Sequence, residues 1–229
     1  MNSQWIDIKA ADGTYGAYLS LPPTGTGPGI LLFEEIFGVN RHIRAVADQY
    51  AMDGFVVLAP DVFWRNGPRV EFGYEGADRE KAIANMKSLD PKKVADDIKT
   101  TVAALRTRPE VKGKVGAIGY CMGGRLAYFA AASTDIDCAV SYYGGAIHDN
   151  LDRVASIKCP MQFHYGEKDQ GIPLDQVEKV KGAFKGKKAE FFIYPAGHGF
   201  NCWDRSSYDA PSAALAHGRS LEFLSRNLY

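Results

Sequence analysis

The sequence predicts an α/β fold: a mostly parallel sheet with helices on both faces, built as one domain over residues 1–229. Three observations predict it. Short continuous apolar runs, such as Phe55-Val56-Val57-Leu58-Ala59, recur along the chain, as strands buried on both faces require. Stretches with apolar residues at helical spacing alternate with those runs. A length of 229 residues falls within what one α/β unit reaches, and it buries a core without covalent staples.

The elements follow in order. Residues 4–9 and 14–20 alternate around Asp12-Gly13, which predicts an opening hairpin. Residues 29–34 form a fully apolar strand ending in glutamate. Ile43, Val46, Ala47, Tyr50 and Ala51 place a helix over 41–53, stopped by Gly54. A buried strand at 55–61 leads into a Gly-, Pro- and aromatic-rich loop over 61–75. Helices follow near 76–88 and 91–107, then a strand at 114–120 and a small-residue helix at about 122–133. Strands near 137–143 and 160–165, a helix near 173–184, a strand at 189–194 and a last helix over 211–226 complete the chain. No internal repeat or low-complexity segment interrupts this pattern.

Composition narrows the function classes. Hydrophobic residues make up 46% and charged residues 24%, so global disorder is excluded. Lys+Arg and Asp+Glu each number 27, which argues against a nucleic-acid or anionic-lipid partner. Four cysteines are too few for a disulfide framework and suit free thiols in a reducing compartment. The N-terminal MNSQWIDIKAADG lacks a signal-peptide pattern, and no apolar run approaches a membrane span of about 18 residues. The expectation is a soluble, cytoplasmic protein acting on a small molecule; no oligomeric state is set by the sequence.

The strongest local signal is Gly119-Tyr120-Cys121-Met122-Gly123, followed by Gly124. It closes a predicted strand and opens a predicted helix, as a G-x-S-x-G nucleophile elbow does, with Cys in place of Ser. Glycines two residues on either side permit close backbone approach. The thiol then sits at a helix N-terminus, which favours a thiolate, and the Met122 N–H points toward a forming oxyanion. The plainer reading is a Gly-rich turn carrying an inert buried Cys. No G-x-G-x-x-G or G-K-[ST] pattern supports a nucleotide loop.

A nucleophile needs a base and a group that orients the base. Downstream, Asp169 follows the predicted strand Met161–Tyr165, and His198 lies in Ala196-Gly197-His198-Gly199-Phe200 after the next strand. Both fall at the C-terminal strand edge, where open α/β sheets place their sites. Alone, Asp169 is a turn residue and His198 a loop histidine. The order nucleophile, acid, histidine, each behind a strand, turns the set into a candidate triad. His42, His148, His164 and His217 read as structural or surface residues, and Cys138 and Cys159 as core. His198 and Cys202 lack a second pair at ligand spacing, so neither a metal nor an organic cofactor is expected.

These residues resemble the dienelactone hydrolase family of α/β-hydrolases. The matching segments are Glu34-Glu35-Ile36-Phe37-Gly38-Val39-Asn40, Ala59-Pro60-Asp61, Gly119 to Gly124, Tyr142-Tyr143-Gly144, Gly166-Glu167-Lys168-Asp169 and Gly197-His198-Gly199-Phe200. The resemblance runs from about residue 29 to the C-terminal helix and implies an α/β-hydrolase fold without a large cap domain. It implies a triad of Cys121, His198 and Asp169, a Glu35 carboxylate that reaches the thiol, and an oxyanion hole made by the N–H groups of Ile36 and Met122. A carboxylate beside the thiol disfavours its ionisation at rest and guards it from oxidation.

On the substrate side, the family holds a carboxylate with two arginines. One matches Arg79, which otherwise reads as a helix-surface ion pair. The second is due at position 202, where the sequence has Cys202; Arg205 lies three residues further on. The small polar residue due after the histidine is Gly199, and two aromatic positions in the Arg79 helix are Ile83 and Met86. Phe37, Tyr143 and Trp203 are candidates to line a pocket. The expected activity is cysteine-dependent hydrolysis of small esters or lactones through an acyl-thioester. The rival is a redox or thiol-sensing binding protein that uses the same fold without turnover.

Overall fold

The structure is a computed structural model and describes residues 2–229. Its centre is one eight-stranded sheet in the order β1-β2-β4-β3-β5-β6-β7-β8. The strands are β1 (Asn2–Ala10), β2 (Gly13–Leu21), β3 (Gly27–Phe33), β4 (Val56–Pro60), β5 (Val111–Tyr120), β6 (Cys138–Tyr142), β7 (Met161–Gly166) and β8 (Ala189–Tyr194). The six strands from β3 to β8 run parallel, while β2 is antiparallel to both β1 and β4. Every residue of β3, β4 and β6 is buried, as their unbroken apolar runs require.

Six helices cover the sheet: α1 (Arg41–Met52), α2 (Gly76–Lys87), α3 (Pro91–Arg106), α4 (Met122–Ser133), α5 (Leu174–Ala183) and α6 (Ala210–Leu228). Their ends carry ordinary start signals. Asn40 accepts from Ile43 N–H, Asp90 from Lys92 N–H and Asp209 from Ser212 N–H, each satisfying an orphan first-turn donor. Pro91 and Pro211 sit in first turns that need no N–H.

Three local expectations shift. The hairpin turn is Ala11-Asp12, one residue earlier, because Gly13 already pairs with Ala10 in the ladder. Gly13 lies under Trp64, whose ring fills the place of a Cβ at 2.7 Å. Strand β5 begins at Val111 rather than 114; its polar start pairs with Gly27 across a register shift that the apolar pattern does not show. Between β6 and β7 the chain forms two 3₁₀ segments, Ile147–Asp149 and Leu151–Ser156.

The order β4-β3-β5 has a functional consequence. From β3 the chain first adds β4 on one side and then β5 on the other, so the crevice between the C-terminal ends of β3 and β5 is a topological switch point. Glu34 to Phe37 follow β3, and Cys121 follows β5.

Candidate active site

Cys121 is the residue between β5 and α4, with φ +56° and ψ −116°. A non-glycine residue at positive φ is strained and persists only where its surroundings fix it. The glycines do the fixing. A Cβ on Gly119 would fall under 3.0 Å from Gly123 O, and one on Gly123 under 3.0 Å from the carbonyl oxygens of Phe33 and Glu34. The first turn of α4 therefore rests directly on the ends of β5 and β3. Cys121 N–H donates to Tyr142 O at 3.0 Å, which ties the elbow to β6.

Asp169 and His198 arrive from the turns after β7 and β8. His198 Nε2 lies 3.1 Å from Cys121 Sγ, and His198 Nδ1 lies 2.7 Å from Asp169 Oδ2. Asp169 is held by Gly171 N–H and Ile172 N–H, which donate to its Oδ1 at 2.8 and 3.1 Å. Its side chain is almost fully buried, while that of His198 remains 28% exposed and open to a reactant. Burial pulls the His198 pKa down, but the Cys121 charge and the hydrogen bonds to Asp169 and Cys121 outweigh it and push the value up to about 10. The arrangement favours a charged His198 imidazolium beside the Cys121 sulfur. Among the described residues, neither the Ile36 N–H nor the Met122 N–H donates to a turn or loop carbonyl.

Glu35, expected to reach the thiol, has another partner in this structure. Its carboxylate is turned to Arg205, whose Nη1 donates to Oε1 at 2.9 Å, and it makes no hydrogen bond to the thiol. Arg205 thus reaches the site from three positions beyond the expected one. Its guanidinium lies 5.6 Å from the Phe37 ring centre and 5.9 Å from that of Tyr74, within cation–π range. Gly199 makes this possible: a Cβ there would fall under 3.0 Å from Arg205 Nη1. Glu34, by contrast, is a fold residue that accepts from Val62 N–H at 3.1 Å.

The other proposed pocket residues divide. Tyr143 is fully buried, with its ring 5.1 Å from that of His198, and Phe37 packs edge-on to Tyr74 at 4.6 Å. Trp203 is 40% exposed and covers the His42 ring from outside, because it sits on a surface turn. Arg79 is exposed on α2, and among the described residues its side chain makes no hydrogen bond or ion pair. His164 is a core residue bonded to Tyr194 and Gln162; burial lowers its pKa to about 3. Sequence reasoning noted Arg205 without giving it a role and read His42 as structural or surface; the place of each beside Glu35 depends on tertiary packing.

Glu35, His42 and Cys202 bring one donor atom each within 4.8 Å of one another, all buried. Carboxylate, imidazole and thiol form a set that suits zinc in kind. Here the cation beside the carboxylate is the Arg205 guanidinium, and burial together with the Glu35 charge pushes the Cys202 thiol up to about 12.

With this geometry in place, comparison gives the relationship. Residues 15–228 match the dienelactone hydrolase family. The chain belongs to the dienelactone hydrolase family. It is 35% identical over 223 residues to the carboxymethylenebutenolidase of Pseudomonas sp. strain P51, covering 96% of this chain and 93% of that protein. It is 31% identical over 227 residues to carboxymethylenebutenolidase 1 of Cupriavidus pinatubonensis, covering 98% and 97%. The crystal structure of a Klebsiella pneumoniae protein assigned as a dienelactone hydrolase superposes with a TM-score of 0.89 at 26% identity, covering 98% of each chain. Dienelactone hydrolases have the α/β-hydrolase fold, which the sheet order and elbow of this chain share, and they are enzymes that cleave ester or lactone bonds. Among the described residues no helix is long and apolar enough to cross a membrane.

Proposed function

We propose that this dienelactone hydrolase family member is a cysteine-dependent hydrolase of small esters or lactones that works through an acyl-thioester. The observation that carries the reading is the chain of contacts from Cys121 Sγ through His198 to Asp169, at 3.1 and 2.7 Å. In the attack, the thiolate adds to the substrate carbonyl carbon. The developing oxyanion lies against the N–H groups of Ile36 and Met122. The C–O bond then breaks, and the His198 imidazolium gives its proton to the leaving alkoxide oxygen. In deacylation, neutral His198 takes a proton from water as the hydroxide oxygen adds to the thioester carbon. Collapse releases the acid and restores the thiolate beside the imidazolium. Asp169 orients the ring and balances its charge throughout.

Glu35 and Arg205 act around this centre. The ion pair holds the Glu35 carboxylate on Arg205 rather than on the Cys121 sulfur. The Asp169–His198 pair favours turnover over the thiol-sensor reading, because a sensor has no need of a deacylation base.

The test uses cis- and trans-dienelactone beside small neutral aryl esters, with wild type and Cys121→Ala. Turnover lost in the variant, together with an acyl-enzyme mass adduct on Cys121 in rapidly quenched wild type, is expected. Full turnover by Cys121→Ala would overturn the mechanism. Silence of the wild type on every substrate, with a reactive Cys121, would favour the sensor.

A further inference from the structure

Glu35, His42 and Cys202 carry more buried polarity than the catalytic contacts use. Glu35 follows β3, His42 stands in the first turn of α1, and Cys202 lies in the loop between β8 and α6. They are 1%, 0% and 0% exposed, and one donor atom from each lies within 4.8 Å of the others. Glu35 gives Oε1 to Arg205, but its Oε2 has no hydrogen-bond partner. Neither ring nitrogen of His42 has one either; the Asn201 backbone passes close to the ring without making a hydrogen bond. A fully buried imidazole with both nitrogens unpaired is costly, and such a group calls for a partner.

The donor set says what kind of partner. Imidazole nitrogen, thiolate sulfur and carboxylate oxygen are the ligands of zinc sites, whereas Mg²⁺ and Ca²⁺ take shells of oxygen. Tetrahedral zinc holds such atoms roughly 3.3–3.7 Å apart, so small side-chain rotations, drawing the three in by about 1 Å, close the site. The backbone around them is fixed. Cys202 N–H donates to Gly199 O at 2.9 Å, Arg205 N–H donates to Cys202 O at 3.1 Å, and Asn40 caps α1 just before His42. Trp203 covers the His42 ring from outside at 4.3 Å, so a turn of this one surface side chain opens a way in.

We propose that Glu35, His42 and Cys202 form a binding site for a divalent cation of the zinc kind, which competes with Arg205 for the Glu35 carboxylate. The oxygen, nitrogen and sulfur fill three tetrahedral positions and a water fills the fourth. Binding releases the Cys202 proton to solvent, because the thiolate is the ligand. Arg205 and the incoming cation are alternative partners of one buried charge, so removing Arg205 strengthens cation binding. The site shares no ligand with the Cys121–His198–Asp169 contacts and stands apart from the hydrolase reading.

Two measurements test it, both in Cys121→Ala, so that Cys121 and His198 cannot hold the metal between them. The first adds Co²⁺ as a spectroscopic stand-in for Zn²⁺. One Co²⁺ per chain is expected, with thiolate-to-metal charge-transfer absorption in the near ultraviolet and the intense visible bands of tetrahedral cobalt, both abolished by excess Zn²⁺. The charge-transfer band is expected to vanish when Cys202→Ser is added. Its absence from Cys121→Ala, where all three ligands are intact, overturns the site without recourse to a ligand variant; so does a band that survives Cys202→Ser. The second measures the Zn²⁺ Kd by calorimetry against a competing chelator. Adding His42→Gln is expected to weaken binding by at least about a hundredfold, since loss of a ligand exceeds the tenfold to hundredfold effect of outer partners. Adding Arg205→Met instead is expected to tighten it by at least about tenfold, because a competing charge is gone. Unchanged affinity in the His42 variant, or no gain on removing Arg205, overturns the proposal.

Discussion

Arg205 donates to Glu35 across 170 residues of sequence, at 2.9 Å, onto a carboxylate whose side chain is 1% exposed. A buried carboxylate losing its only charged partner is among the more costly single changes, at about 3–5 kcal/mol. For a chain of this size that corresponds to a fall in Tm of roughly 6–20 °C in Arg205→Met. The double variant Glu35→Gln/Arg205→Met removes both charges and is expected to recover most of the loss. Thermal and urea unfolding of wild type, single and double variants check this. A single variant as stable as wild type would show that the pair does not hold the site together.

The φ of +56° at Cys121 makes a separate prediction about stability. Glycine adopts such a conformation without the strain of order 1–3 kcal/mol that other residues carry, although it gives back up to about 1 kcal/mol in unfolded-chain entropy. Cys121→Gly is therefore expected to be more stable than Cys121→Ala by about 1 kcal/mol, with both lacking hydrolysis. Urea midpoints at constant m-value provide the comparison. The reverse order would mean that the surrounding helix and strand ends do not force this backbone shape.

His198 carries the pH dependence. Burial opposes its charged form, yet the Cys121 charge and the Asp169 and Cys121 hydrogen bonds raise its pKa from 6.5 to about 10. A histidine raised on folding adds stability that is complete below its unfolded value and is lost as pH rises through its folded value. The extra stability of wild type over Cys121→Ala is thus expected near pH 6 and to fade toward pH 10. Proton NMR of the His198 ring gives the direct check. Its titration is expected near 10 in wild type and well below that in both Cys121→Ala and Asp169→Asn. A wild-type midpoint near 6.5 would refute the thiolate–imidazolium resting pair.

The residues that make the Cys121–His198–Asp169 contacts could be picked out from sequence because their signals are local. Gly119 and Gly123 bracket Cys121, and Asp169 and His198 each sit a few residues behind an apolar strand. The strand and helix pattern was readable for the same reason, through periodicity within each segment. What escaped depends on tertiary contact. Nothing near Arg205 in the sequence indicates that it meets Glu35, and nothing near Trp203 indicates that it lies on the surface over His42.

Gly199 and Arg205 form a pair whose coupling can be measured. Gly199 adopts φ +77°, and a Cβ there would collide with Arg205 Nη1. Gly199→Ala therefore carries two costs: backbone strain at positive φ, of about 1–2 kcal/mol, and displacement of the guanidinium from Glu35. The second cost exists only while Arg205 is present. In an Arg205→Met background the guanidinium is gone, and Gly199→Ala should retain mainly its backbone cost. The double-mutant cycle is expected to give a coupling energy of about 1–3 kcal/mol, with the two losses summing to more than the double variant shows. The same comparison has a catalytic arm, because a guanidinium pushed off Glu35 leaves the carboxylate free to oppose the Cys121 thiolate. Iodoacetamide labelling of Cys121 at neutral pH should slow in Gly199→Ala, and adding Glu35→Gln should restore it. Additive stabilities and an unchanged labelling rate would mean that glycine at 199 serves the turn alone and that Arg205 reaches Glu35 without its help.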